Sequence, residues 1–283
     1  MMLSSGWTTD LGENAHVAFT CTLGPLDLRI EQPGGGLISG MGTGALVWTA
    51  SLELAMAIVE AGVLAHLLPI EALGSVRAIE LGCGCSALPS LALALVGARD
   101  ITATDTHDVL TALQPNLASY AAAAARAGVN PDVCGAVAPS ALSWVDRAAL
   151  ATLARDDGFG LVLCADVDWM EELHQALVDA LTACLAPSSS SVALIATSSS
   201  GRDRERTLRS FLKLVGARGL ALTELSHALE PLAQGAAAAA SKADLGGGGA
   251  RFFAARWSDE ATARTARAQL VERTSTLEEL LGG

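Results

Sequence analysis

Residues 76–105 read VRAIELGCGCSALPSLALALVGARDITATD. Two short runs, VRAIEL and DITATD, flank a glycine-broken turn and an apolar segment of helix length. Each run closes on a carboxylate, Glu80 in the first and Asp105 in the second. This is the pattern of strand, turn, helix and parallel strand. In a parallel sheet the ligand crevice opens beyond the carboxyl ends of the strands, so Glu80, Gly82, Gly84 and Asp105 fall where a ligand would sit. Gly82 and Gly84 let the main chain turn tightly and approach that ligand with no Cβ in the way.

The same alternation continues downstream through HDVLTALQPNLASYAAAAARAG, VCGAVAP, FGLVLCADV, MEELHQALVDALTACLA and SVALIATSS. The strand runs are apolar throughout rather than at every other residue, which predicts a parallel sheet covered on both faces, a doubly wound α/β domain. A further helix is predicted over RDRERTLRSFLKLVGARG, with two more strands at LALTEL and RFFAARW. The Ala/Gly-rich stretch AQGAAAAASKADLGGGGA between those strands reads as a mobile loop. Upstream, VAFTCTLGPLDLRIEQ alternates apolar and polar residues around Gly24-Pro25, which predicts a hairpin. PGGGLISGMGTG reads as a flexible link, and residues 45–68 as one apolar helix against the sheet. The division expected is an extension over 1–42, the α/β domain over 43–258, and a helical, largely solvated tail over 259–283.

The 283 residues carry a formal net charge of −12. Such a balance opposes a broad electrostatic footprint for nucleic acid or an anionic membrane and favours a cationic partner. The first sixteen residues lack the basic and apolar regions of a signal peptide, and no apolar run is long enough to span a bilayer, so a cytoplasmic location is expected, with the nucleus as a second compartment. The six cysteines are scattered among apolar neighbours and read as buried reduced thiols. Cys83 and Cys85 lack the second pair that a tetrahedral metal site requires, and no metal is expected.

Two ligands fit the glycine turn. Gly82, Gly84 and Ala87 formally satisfy the G-x-G-x-x-A pattern of a nicotinamide dinucleotide site, with Asp105 as the acid that accepts both hydrogen bonds of a ribose diol. S-adenosylmethionine asks for an acid just before the glycines. Glu80 supplies it, sitting badly beside a pyrophosphate but well in the network around a cationic methionyl end, and this puts S-adenosylmethionine ahead.

The chain resembles the seven-strand protein-lysine methyltransferases over roughly residues 17–225. The resemblance runs in order through LRIEQ, TGALVWTASLELA, the opening stretch, LQPNL, LSW and LVLCADVDWMEELHQALVDAL. It implies a Rossmann-like seven-strand sheet, S-adenosylmethionine as cofactor, and transfer of methyl to a lysine of a protein with a basic surface. It also implies that Trp48 approaches the cofactor, that Glu80, Gly82 and Gly84 surround its methionyl part, that Asp105 takes the ribose, that Trp144 packs beside the adenine, and that Cys83, Thr106 and Ala165 belong to the cofactor-binding set. Asp166 and Trp169, the catalytic pair, would face the reacting methyl. Two positions depart from the family pattern: Ser86 stands where a third glycine is usual, and Trp169 where a Tyr-like residue is usual.

Structural alternatives stand beside these roles. Trp48 fits plain core, Asp105 and Asp166 fit helix caps, Asn116 reads as a helix-surface residue, His107 and His174 as exposed and inert, and the arginines of GRDRERTLR as a solvated helix face. Rival functions are a dinucleotide oxidoreductase, a small-molecule methyltransferase and a non-catalytic scaffold.

Overall fold

The computed structural model describes residues 9–11, 17–33, 42–60, 62–130, 132–198, 202–225 and 250–282. A seven-stranded sheet forms its centre. In chain order the strands are β4 (Arg77–Leu81), β5 (Asp100–Asp105), β6 (Val137–Ala141), β7 (Leu161–Ala165), β8 (Val192–Ser198), β9 (Leu220–Glu224) and β10 (Ala250–Trp257), and in space they run β6-β5-β4-β7-β8-β10-β9. Five of them pair in parallel, while β10 is antiparallel to both neighbours. This is the doubly wound sheet the alternating pattern implied, with the seven strands that the resemblance implied.

Burial follows the two-residue period of a strand. Ala78, Leu161, Leu163, Val192 and Leu194 face one core, whereas Ile79, Leu81, Val162, Cys164, Ala193 and Ile195 face the other. The first core is covered by α1 (Thr49–Val59), α2 (Leu88–Leu95) and α3 (His107–Arg126). The second is covered by α5 (Arg147–Arg155), α6 (His174–Cys184), α7 (Arg202–Ala217) and α8 (Glu260–Gly282), α4 being the short turn Asp132–Gly135. Covered on both sides, β7 is buried along its whole length, while the edge strands β6 and β9 are mostly open. That contrast is why the central strands read as continuous apolar runs.

The hairpin consists of β2 (Val17–Leu23) and β3 (Leu26–Gln32), with β1 (Thr9–Leu11) added at its edge. Gly24 takes φ +55°, the sign that the first position of a primed two-residue turn needs. Leu23, Leu26, Leu28 and Ile30 join the first core. Asn116 fastens the hairpin there: its amide donates to the Glu31 and Cys85 carbonyls at 3.0 and 2.8 Å, and its oxygen accepts from Glu31 N. It is fully buried, not a helix-surface residue.

Other expectations are corrected. The apolar stretch 45–68 is not one helix: α1 spans Thr49–Val59, and Gly62, at φ +60°, leads into a separate 3-10 turn, Val63–His66. The C-terminal helix is not a solvated tail. Its Ala263, Ala266, Arg267 and Leu270 are buried, and the Arg267 guanidinium, set among apolar side chains, donates to the carbonyls of Ala183, Leu185, Leu153 and Asp156. All six cysteines are free and buried, as expected. No helix among the described residues is long and apolar enough to cross a membrane. The stretch read as a mobile Ala/Gly-rich loop lies almost wholly outside the described residues, as does most of the glycine-rich link.

Candidate cofactor and methyl-transfer site

The sheet's switch point lies between β4 and β7, whose connections depart to opposite sides, and a cavity of about 440 Å³ opens beyond the carboxyl ends of the strands there. Its volume lies within the usual range of roughly 300–1,000 Å³ for small-molecule sites. Each strand end contributes a piece of the wall. Gly82 and Gly84 follow β4; Asp105 and Thr106 end β5; Leu142 to Val145 follow β6; Ala165 to Val167, with Trp169, follow β7.

The glycine turn can be built only with glycine. Gly82 and Gly84 take φ +74° and +61°, and a Cβ on Gly82 would stand 2.6 Å from Val167 Cγ1 and 3.1 Å from the Trp144 ring. The turn hangs on neighbouring elements: Gly82 N and Cys83 N both donate to Thr104 O, and Cys85 N to Gly44 O. Ser86, at the place of a third glycine, is buried and receives the Tyr120 hydroxyl on its carbonyl. The left-handed residue falls one position later, on Ala87, at φ +43°.

Asp105 braces this turn from the next strand. One carboxylate oxygen accepts from Gly84 N at 2.9 Å and the other from Thr106 N at 2.8 Å. Thr106 rather than Asp105 holds the N-cap position of α3. A carboxylate has about four acceptor sites, so two remain for a diol at the cavity wall. Burial pushes the pKa of the Asp105 carboxyl above the usual carboxylate range, and the hydrogen bonds from Gly84 and Thr106 oppose that rise.

Of the residues expected at a site, the structure gathers Trp48, Gly82, Gly84, Asp105, Thr106, Trp144, Ala165, Asp166 and Trp169 around this one cavity. Glu80 and Cys83 are not among its lining residues. Glu80 points under the turn to the start of α2, where Oε2 accepts from Ser90 N at 3.0 Å and Ser90 Oγ at 2.5 Å while Oε1 has no partner. Burial pushes its pKa up to about 8. Trp48 is not core: it precedes α1 with 40% of its surface exposed, and its Nε1 donates to Thr43 O.

Asp166 carries φ +56° and is buried. Its Oδ1 accepts from Ser198 N at 3.1 Å and Arg204 Nη2 at 2.5 Å, and its Oδ2 from Ser198 Oγ at 2.7 Å. It is no helix cap, because α6 begins at His174 and Leu173 occupies the cap position. Arg204 therefore turns inward from the helix whose arginines were expected in solvent. His174 is buried too, not exposed, with Nε2 at 2.8 Å from Asp168 O. His107 is exposed.

Sequence reasoning missed Thr43, Gly44, Val109, Leu142, Ser143, Val145, Val167, Met170 and Leu173 in the wall. Most of these lie within four positions of residues it named, and widening each strand end would have found them. Thr43 and Gly44 were hidden in a stretch read as a link. They belong to the 3-10 turn Gly42–Ala45, pressed so close to α3 that a Cβ on Gly44 would lie 2.7 Å from Val109 Cγ2.

A family model described as lysine methyltransferase matches residues 26–217. The chain belongs to this methyltransferase family. Its matched span carries every cavity residue named above, and S-adenosylmethionine is its cofactor. No curated protein sequence matches the methyltransferase. Among solved structures it is similar to the ribosomal protein L11 methylase from Lactobacillus delbrueckii subsp. bulgaricus, at 17% identity over 73% of this chain and 78% of that one, with a TM-score of 0.41. It is also similar to the O-methyltransferase TomG from Streptomyces achromogenes, at 15% identity over 73% and 89% with a TM-score of 0.39, and to a Bacillus cereus O-methyltransferase, at 14% over 72% and 90% with the same score. The residues present fit the cofactor: a turn that admits no Cβ, a carboxylate with spare acceptor sites at the next strand end, and the Trp144 ring against the turn.

Proposed function

We propose that the methyltransferase acts on a lysine side chain of a protein substrate. The observation that carries this reading is the cavity wall beside the glycine turn, where two half-exposed indoles, Trp48 and Trp169, share the cavity with the buried carboxylate of Asp166. The family description supports lysine as the acceptor. An indole face attracts a cation, so a lysine ammonium is drawn to a wall of this kind.

Bound S-adenosylmethionine supplies a methyl group on a positively charged sulfur. Everything else falls to the chain. Trp144, Asp105 and the Gly82–Gly84 turn hold the donor in place. The lysine amine, with an unperturbed pKa of ~10.4, must lose its proton before it can attack, and desolvation between Trp48 and Trp169 favours the neutral form. Asp166 Oδ2, with one donor already bound, keeps an acceptor site for an amine N–H and orients the lone pair. With the donor bound, the amine nitrogen would take the methyl group from sulfur, and its extra proton would then pass to water.

Incubation with labelled S-adenosylmethionine and a proteome extract, followed by mapping of the labelled residue, tests the reading. Label on a lysine is the expected result. Label confined to small molecules or to oxygen would overturn it.

A further inference from the structure

The polar floor beneath Asp166 contains more negative groups than positive ones. Asp168, 1% exposed, accepts from Thr197 Oγ1 at 2.8 and 3.0 Å and from Arg204 Nη2 at 3.3 Å. Glu53 of α1 is buried, holds the Ala250 amide on Oε2, and has no partner on Oε1. Burial raises the pKa of both acids; Asp166 adds to the rise in each, and for Asp168 the guanidinium of Arg204 opposes it. The titratable and charged groups around Asp166 are thus Glu53 from α1, Asp168 from its own loop, His174 behind Asp168, and Arg204 from α7. The β8 neighbours, Thr197 and Ser198, are neutral. Among the described residues Arg204 is the cation bound to Asp166, and the same Nη2 spans Asp166, Asp168 and Thr197. Its Nη1 is buried and has no partner.

We propose that Arg204 is the positioning residue for Asp166: one guanidinium shared by two buried carboxylates offsets their mutual repulsion and aims the Asp166 carboxylate across the cavity wall. The proposal rests on the lysine reading of the site. Three facts require such a device. A non-glycine residue at φ +56° persists only where its surroundings over-determine it. Two carboxylates in one buried site cannot both stay ionised without a neutralising partner. The Asp166 oxygen that accepts from Ser198 Oγ must also face the amine, so the carboxylate needs a fixed aim.

The test uses the full chain with Arg204→Met, Arg204→Lys and the double variant Arg204→Met/Asp168→Asn. Melting is followed against pH without any substrate. A buried acid whose folded pKa is raised loses stability as pH climbs from its ordinary value near ~3.9 through the raised one. The melting deficit of Arg204→Met should therefore be small in acid and grow towards neutral pH, and Asp168→Asn should shrink it. A deficit independent of pH, or untouched by Asp168→Asn, overturns the shared-charge assignment. Methyl transfer is then followed from about pH 6 to 9 on the substrate found by labelling. Arg204→Met should lower kcat at least about tenfold and add an acidic limb to its pH profile, with calorimetric cofactor affinity within a few-fold. Arg204→Lys, which keeps the charge without the planar fork, should recover part of the loss. Wild-type turnover and profile in Arg204→Met overturn the positioning role. If the wild type methylates no protein, the lysine reading fails, and the melting series still decides whether Arg204 governs the two carboxylates.

Discussion

Asp105 holds two backbone amides and still faces the cavity, so its removal should be felt in binding before it is felt in folding. Asp105→Ala should weaken S-adenosylmethionine or its demethylated product at least about tenfold in calorimetry, since charge-assisted hydrogen bonds contribute ~1.5–3 kcal/mol each. Unchanged affinity with a lower melting temperature would reduce Asp105 to a brace for the turn. Glu80 makes a prediction in the other direction. With a folded pKa of about 8, it is protonated in the native state over a range in which the unfolded chain ionises it. Its contribution to stability is then complete below about pH 4.3 and is lost as pH rises through 8. Glu80→Gln keeps an oxygen for the two Ser90 donors and offers its amide where Oε1 has no partner, so the decline of melting temperature towards alkaline pH should flatten. An unaltered slope would assign it to other groups. The glycines and acids at strand ends were legible because tight turns and carboxyl-end crevices leave a local mark. Asn116, Arg204 and His174 were not. Each is polar on a helix that reads as amphipathic, and the partners of the first two lie 85, 31 and 38 residues away.

Among the elements, the central strands were legible because burial on both faces leaves nothing but apolar residues to read. Helix ends were less so: α1 stops well short of the apolar run that predicted it, because the run continues through the left-handed Gly62 into a separate turn. The C-terminal helix was misread as solvated because its sequence is rich in Glu, Arg and Thr, yet one of those arginines is its anchor. Among the described residues the Arg267 guanidinium is held by backbone rather than by a carboxylate, closing four carbonyls around the ends of α5 and α6. Burial lowers its pKa, against the opposing charges of Asp156 and Asp157 nearby. Arg267→Met should therefore destabilise the protein by roughly 1.5–3 kcal/mol or more, the cost of leaving buried carbonyls unpaired, as read from urea unfolding. Arg267→Lys should not restore it, since a point charge cannot span four acceptors. A loss within ~0.5 kcal/mol, the range typical of surface substitutions, would return the helix to the solvated reading.

For the molecule as a whole, the charge of −12 is joined by exposed acids near the cavity mouth: Asp108 beside Val109, Asp146 beside Val145, and Glu171 and Glu172 beside Met170 and Leu173. A lysine-bearing partner approaching this field should show a protein-substrate KM that rises several-fold between about 0.05 and 0.5 M salt, with kcat little changed, because screening shortens the reach of steering without altering the buried floor. A KM indifferent to salt would mean that contact shape alone selects the partner. The order of strands in the sheet has a consequence for how the chain is made. β10, which lies between β8 and β9, is the last strand to leave the ribosome, some 52 residues behind the end of β8. At ~5–20 residues per second, the nascent chain spends about 3–10 s with the apolar flank of β8 uncovered and β9 without a neighbour. Stalling or proteolytic trimming in that window would leave a fragment that holds most of the cofactor crevice yet exposes an unpaired edge, the form most in need of a chaperone.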